Sequence, residues 1–472
     1  MTPETPSPVP RTAPPPRRHA SAPKPKAGWA MAMRLLARRL HFLAGIIVAP
    51  FLLLSCLTGL VYAFSPQIHD DLYQSQLYVS QPHEGAPRPV SEQVTAALAA
   101  HPEGALRSVI TPSTSDRTTR VNLAVPGLRG AGDEAQSRAV FVDPYTNFIT
   151  GELTTVGDHL PANTWLRQLH SDLQLGEPGR IYAELSATWL PLIVVGGLVL
   201  WLAQPRRRKR VSTRQLLVPS TRGAKEGWGR LRAVHGPLGL WLALGLLVVS
   251  VTGLTMSQFA GGRASQATDP LRLHAPSLVA APVPAAGEPI GIDRVLDVAG
   301  AEGLGGELLV TAPSGVGQVY TVAEHSTGLP VHRGAVAIDP YTAHITERIG
   351  WGDYSVAAKV TTYATEFHTG TLFGMANQIL VAVLAAGLAV LILLGYRMWW
   401  VKNPYKSKWT AIPPPVWRQL PNPVLALVLL VVAALGWLLP VFGVSLLVFL
   451  ALDALITKAK RRRVPAPRDV PR

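Results

Sequence analysis

A bilayer leaves a polypeptide few choices. No water is present there to take its backbone hydrogen bonds, so a segment inside must be a helix or part of a closed barrel. A helical crossing needs roughly 20 apolar residues at about 1.5 Å rise each. Stretches that meet this length are Phe42 to Phe64, Leu185 to Leu202, Leu238 to Met256, Ile379 to Trp399, and a long run from Val424 to Ile456. With 48% hydrophobic and only 15% charged residues, unevenly distributed, the chain is excluded from the ordinary soluble multidomain class. It reads as an integral membrane protein.

The apolar runs belong to a duplication. The order "LHFLAG…LTGL", "VDPYTNFIT", "LHSDLQLG" returns as "VHGPLG…VTGL", "IDPYTAHIT", "FHTGTLFG". Each copy holds an apolar span, a polar segment and a second apolar span, which marks a repeated membrane module rather than a solenoid unit.

Lys and Arg collect on the cytoplasmic side in short loops. Most of the 44 lie before Phe42, between Pro205 and His235, between Tyr396 and Arg418, and in the tail after Ile456. These regions are expected inside, with the segments near Ser65 to Ile181 and Gly261 to Phe367 outside. The net charge of +15 is then explained by topology and contact with anionic lipid, with no call for nucleic acid. Both flanks of the final run are basic, so it should cross an even number of times. Pro440 supplies the break between Val424–Leu439 and Val441–Ile456. Six spans with both termini cytoplasmic follow. Cys56 is the only cysteine, which excludes an intramolecular disulfide and a thiolate-bound cluster.

In each outer segment one helical pattern, "SEQVTAALAAHP" with Ser91 as N-cap or "IGIDRVLDVAGAEG", precedes β-branched runs bounded by turn formers. One helix on a small antiparallel sheet is the expected fold of each copy. The repeated Asp-Pro-Tyr-Thr is turn chemistry, because Pro fixes φ and the Asp carboxylate bonds backbone two residues on.

Four histidines recur in register with the duplication: His41 and His235 at the inner ends of their spans, His170 and His368 on the outer side. Gly45 and Gly239 follow the inner two by one helical turn and share their helix face. An imidazole reaching iron beside a missing side chain suits a flat macrocycle, so haem is the inferred cofactor. Copper or zinc would also accept imidazole. Each side of the membrane supplies only two histidines, however, which match the two axial positions of a haem. His41 should pair with His235 and His170 with His368, giving two haems that carry electrons outward. Thr58, Gly59, Thr252 and Gly253 read as helix packing. Trp201 and Trp399, after Gly197 and Gly395, read as interface anchors. Pro237 is expected at a helix start. Arg397 is a candidate partner for a haem propionate.

These motifs, with "GYRMWW", resemble the PepSY-associated transmembrane family over about Arg38 to Pro404. The resemblance implies a membrane α-helical bundle, with four core helices in a duplicated 2+2 arrangement, a C-terminal hairpin and two small α+β PepSY-like periplasmic domains. It also implies a bacterial inner-membrane protein tied to iron uptake, with His41, His170, His235 and His368 as ligands of two haem b groups. The implied activity is reduction of ferric iron held by a siderophore in the periplasm. No Gly-rich dinucleotide fingerprint occurs in a strand-turn-helix context, so electrons should come from quinol or a separate reductase.

The expected organisation is a disordered Pro-rich arm (1–28), a first span (29–64), a first outer domain (65–165), and an outer helix with second span (166–203). A basic loop (204–232) leads to the third span (233–258), the second outer domain (259–362), and an outer helix with fourth span (363–400). A loop (401–421), the hairpin (422–457) and a basic tail (458–472) complete it. Two other functions compete: a membrane-anchored binding module regulating a protease or envelope partner, and a transporter with a site between its halves.

Overall fold

The computed structural model describes residues 28–80, 85–130, 135–203, 217–218, 227–268, 274–279, 281–402 and 421–462. The Pro-rich arm, most of the basic loop 204–232, most of the loop 401–421 and the tail beyond 462 lie outside them.

The first apolar stretch is not one straight helix. It forms α1 (Trp29–Ile47) and α2 (Ala49–Tyr62), bent by 61° at Val48. Pro50 has no N–H to continue the ladder, and its ring disfavours straight helix just before it. After α3 (Ser65–Leu72) and α4 (Gln74–Leu77) come α5 (Val90–Ala100), β1 (Ala105–Ile110), β2 (Thr119–Ala124), β3 (Gln136–Val142) and β4 (Ile149–Val156). The chain returns through α6 (Pro161–Asp172) to α7 (Glu177–Leu202). The second copy runs α8 (Trp228–Thr255), α9 (Phe259–Thr268), α10 (Ile292–Ala301), β5 (Leu308–Thr311), β6 (Tyr320–Glu324), β7 (Ala335–Ile338), β8 (Ile345–Ile349), α11 (Val356–Thr369) and α12 (Met375–Lys402). It is followed by α13 (Asn422–Leu438) and α14 (Pro440–Arg462).

Three helices, α7, α8 and α12, are long and apolar enough to cross a membrane, and the bent pair α1–α2 makes a fourth candidate. They close into a ring in which α7 packs on α1, α8 on α7, α12 on α8, and α12 again on α2. Leu43, Leu52, Leu190, Leu246, Leu388 and Ile392 fill its core. Pro237 is not at a helix start. α8 begins upstream at Trp228, so this proline sits inside the helix and leaves a carbonyl one turn back without its donor. α13 and α14 break at Pro440, and each has a shorter apolar length than the core spans. Trp189 of α7 locks α14 on: its ring packs on Phe442 and Phe449 and its Nε1–H donates to Ser445 Oγ at 2.9 Å. A buried ion pair joins Arg39 to Asp453 on the same helix.

The two outer segments do not form two separate sheets. Their strands make one eight-stranded antiparallel sheet in the order β4-β3-β2-β1-β5-β6-β7-β8, joined at its centre by β1 and β5. Ser108, Val109 and Ile110 pair there with Thr311, Val310 and Leu309. A lone three- or four-stranded meander would leave this edge open, and pairing the two copies removes it. α5 and α10 cover one face side by side, over Val109, Val121, Val140, Val310, Val322 and Val336. Ser91 is therefore not the N-cap of α5, which is Pro89. It lies inside the first turn and binds Asp293 of α10, with the Ser91 N–H donating at 3.1 Å and its hydroxyl also donating. The Asp-Pro-Tyr-Thr elements are turns, in which Asp143 and Asp339 each accept from the backbone two residues on, at 2.8 Å.

Candidate functional site

His41 lies in the last turns of α1 and His235 in the third turn of α8, and their ring centroids are 6.3 Å apart at 78°. His170 and His368 occupy the last turns of α6 and α11, with centroids 6.5 Å apart at 39°. Left-handed residues end both helices, Leu173 after α6 and Gly370 after α11, and turn the chain into the next span. Each pair takes one histidine from each copy. The four come from four different elements that no local pattern connects.

The rings are oriented from behind. His41 Nδ1 stands 2.8 Å from the Ile193 carbonyl, so this nitrogen carries the proton and donates. His368 Nδ1 meets the Val249 carbonyl at 3.0 Å and Thr252 Oγ1 at 2.9 Å. His170 Nδ1 meets Thr58 Oγ1 at 3.0 Å. At His235 the equivalent carbonyl is that of Leu391, but geometry is looser: Nδ1 is buried and closes no strict hydrogen bond among the described residues. A proton fixed on Nδ1 leaves the Nε2 lone pair free to bind a metal. Thr58 and Thr252 each also donate to their own helix's carbonyls at i−4.

Glycines make room for the rings. A Cβ on Gly59 would stand 3.0 Å from His170 Cε1, on Gly253 3.0 Å from His368 Cε1, and on Gly197 3.1 Å from His41 Cε1. On Gly395 it would stand 3.9 Å from His235 Cε1. The Thr-Gly pairs of the repeat are thus the seats of the outer histidines as well as helix packing. Gly45 and Gly239 do something else: they border open space beside the inner pair, with nothing within 4 Å of a Cβ at Gly45 and only Leu391 near Gly239.

That space is a cavity of about 690 Å³, within the range of cofactor sites. His41, His235, Gly45, Gly239, Leu52, Leu246 and Leu388 line it. Trp201 and Trp399 line it too, so they are walls of the cavity. Trp201 packs directly against Gly236, and Trp399 Nε1 is buried without a partner among the described residues. Arg34, Arg38, Arg232 and Lys402 lie at its border, Arg232 and Lys402 stacking on the Trp228 ring at 5.3 and 5.2 Å. None of the lining residues is acidic. Arg397, expected to meet a propionate, is exposed and does not line the cavity, because it points off α12 on the opposite side from Leu391, Gly395 and Lys402.

The residues fit a haem. His41 and His235 would hold its iron through imidazole nitrogen, and the group would supply a one-electron couple. An apolar slot bordered by glycine accepts a flat ring, and cations without counter-acids suit its carboxylate edge. Among the described residues no group of three or more His, Cys, Asp and Glu is placed to hold a bare ion.

A family model described as the PepSY-associated TM region matches residues 38–402. The chain belongs to this family of membrane proteins. No curated protein matches it significantly.

Proposed function

We propose that the protein carries electrons through haem across the bacterial inner membrane and reduces ferric iron held by a siderophore at its periplasmic face. The observation that carries this reading is the meeting of four repeated histidines as two pairs, with ring centroids 6.3 and 6.5 Å apart and a cavity of about 690 Å³ beside the inner pair. In this arrangement four core spans form the 2+2 bundle and α13–α14 a further hairpin. Both termini are cytoplasmic, the sheet is periplasmic, and quinol or a separate reductase supplies electrons.

Haem b, when bound, supplies a one-electron couple whose potential follows its ligands and surroundings. His41 and His235 would hold the inner group and His170 and His368 the outer. Ile193, Val249, Thr58 and Thr252 fix the protonated nitrogen and so aim the free one. Arg34, Arg38, Arg232 and Lys402 would hold propionates, and the leucine lining keeps water out of the inner site. Dividing a hydrocarbon core of about 30 Å into shorter steps is what two pairs at opposite ends of the bundle achieve.

The test is an absorbance spectrum of purified protein before and after dithionite, repeated with a ferric siderophore. Reducible b-type bands that reoxidise on adding the siderophore are expected. Colourless protein that captures a periplasmic partner would instead favour the membrane-anchored binding module.

A further inference from the structure

The two ends of the sheet are fastened at the same place with opposite charges. α5 is capped by His101 and α10 by Glu302, the residue just past each helix. On the edge strands, Glu152 of β4 stands opposite Val140 of β3, and Arg348 of β8 opposite Val336 of β7. Residues paired across strands share a face, and both valines belong to the core under the helices. Glu152 and Arg348 therefore hold equivalent positions in the two copies. His101 Nε2 meets Glu152 Oε2 at 3.0 Å, and Arg348 Nη1 donates to Glu302 Oε2 at 2.8 Å. The first copy has the cation on the helix and the anion on the strand. The second has the reverse.

What separates the two pairs is titration. A guanidinium stays charged throughout the physiological range, whereas an imidazole changes charge near pH 6.5. His101 has a carboxylate at each ring nitrogen, since its Nδ1 lies 3.1 Å from Glu103 Oε1. The ring is enclosed, 15% exposed, while Glu103 and Glu152 keep 50% and 34% of their side chains in water. Burial pulls its pKa down, but hydrogen bonds and charge from Glu103 and Glu152 outweigh burial and leave it above the usual imidazole range. The remaining charge at this cluster is Arg138 of β3, which acts on Glu103. A cation here also suits the C-terminal end of α5, where the helix dipole is negative.

We infer that His101, clasped by Glu103 and Glu152, is an acid-closed latch on the first half of the sheet, with Glu302–Arg348 its pH-indifferent counterpart on the second. A pKa raised in the folded state stabilises below the unfolded value of about 6.5, and that stability is lost as pH rises through the folded value. In mildly acid surroundings the imidazolium ties the end of α5 to β4. As pH rises the ring loses its charge and β4 loosens, while β8 stays tied. β4 is the strand that gains most from a fastening, because it pairs in the ladder on one side only, with β3. From β4 the chain runs through Leu160 into α6, whose last turn carries His170.

The test is amide hydrogen exchange on the full chain at about pH 5.5 and about pH 8.5, corrected for the intrinsic pH dependence of the exchange chemistry. Amides of β4 are expected to lose protection about threefold between the two, the size that an ion pair with partly exposed partners allows, and amides of β8 to lose none. His101→Gln is expected to remove the pH dependence. His101→Lys is expected to keep β4 protected at both pH values, a gain that misfolding cannot imitate. Arg348→Gln is expected to loosen β8 equally at both. Wild-type β4 protection that ignores pH overturns the inference, as does a pH dependence that survives in His101→Gln. Protection of β8 that follows pH as β4 does overturns the contrast between the halves.

Discussion

The inner and outer histidine pairs have nearly equal spacing, 6.3 against 6.5 Å, but unlike surroundings. In the inner pair only His41 closes a hydrogen bond to a backbone carbonyl, and the pair faces a cavity of about 690 Å³ with four cations at its border. The outer pair leans on threonine hydroxyls, with the Val249 carbonyl added at His368, and has Tyr62 stacked on His170. Duplication explains the sameness, and substitutions since then the difference. Thr58 and Thr252 spend their one hydroxyl proton on their own helix's carbonyls, so toward the rings they accept, as a carbonyl does, but as a weaker, neutral side-chain acceptor. Two sites of one ligand type can then differ in potential through what stands behind the ligands.

The largest effect should come from the ligands. His41→Ala is expected to remove one of two haem equivalents and His170→Ala the other, so each variant keeps about half the reducible absorbance. Retention of all haem in both would end the assignment. Next come the seats. Gly59→Val should unseat His170 and lose only the outer group, and Gly197→Val only the inner, because a Cβ already stands 3.0 and 3.1 Å from the respective rings. Gly45→Val differs from both: its side chain enters open space, so apo-protein stability should hold while inner haem is lost. Equal effects at the three glycines, by haem content and melting temperature, would erase the contrast.

Threonine substitutions sharpen the comparison within the outer pair. His170 has Thr58 as its Nδ1 partner, whereas His368 has the Val249 carbonyl besides Thr252. Thr58→Val should therefore cost more haem affinity than Thr252→Val, about tenfold or more against a smaller loss. The reverse order in haem-transfer measurements would show the carbonyl to be idle.

The smallest effect lies far from both pairs, in a repeated turn. Backbone N–H of Tyr341 first, then the Thr342 hydroxyl, holds the Asp339 carboxyl below the usual carboxylate range. A depressed folded pKa stabilises above the unfolded value of about 3.9 and is lost as pH falls through the folded one. Asp339→Ala should unfold slightly earlier than wild type at neutral pH, and the gap should close below about pH 4. A gap independent of pH would mean that the carboxylate charge is not what the turn uses.

Much of this was legible locally. The apolar runs found α7, α8 and α12, and the break at Pro440 was where proline placed it. The strands were legible from β-branched runs, and both Asp-Pro-Tyr-Thr turns from their own chemistry. What local pattern missed were partnerships. Arg397 looked like the propionate partner because it neighbours the tryptophans in sequence, but helix geometry turns it away, while Arg34, Arg38 and Arg232 arrive from α1 and α8. Gly197 looked like a span-end marker, and only the packing of α1 on α7 puts His41 against it.

The sequence alone determined that the chain enters the membrane, that it does so as two copies of one module, and that each copy brings two histidines. Those follow from composition and periodicity, which act over a few turns of helix. Tertiary structure alone decided that β1 meets β5 to make one sheet from two segments, and that the histidines face each other across copies. It also decided that cations from different helices share one cavity border. An open strand edge or a one-sided helix is satisfied only by a partner distant in the chain, and that choice belongs to packing.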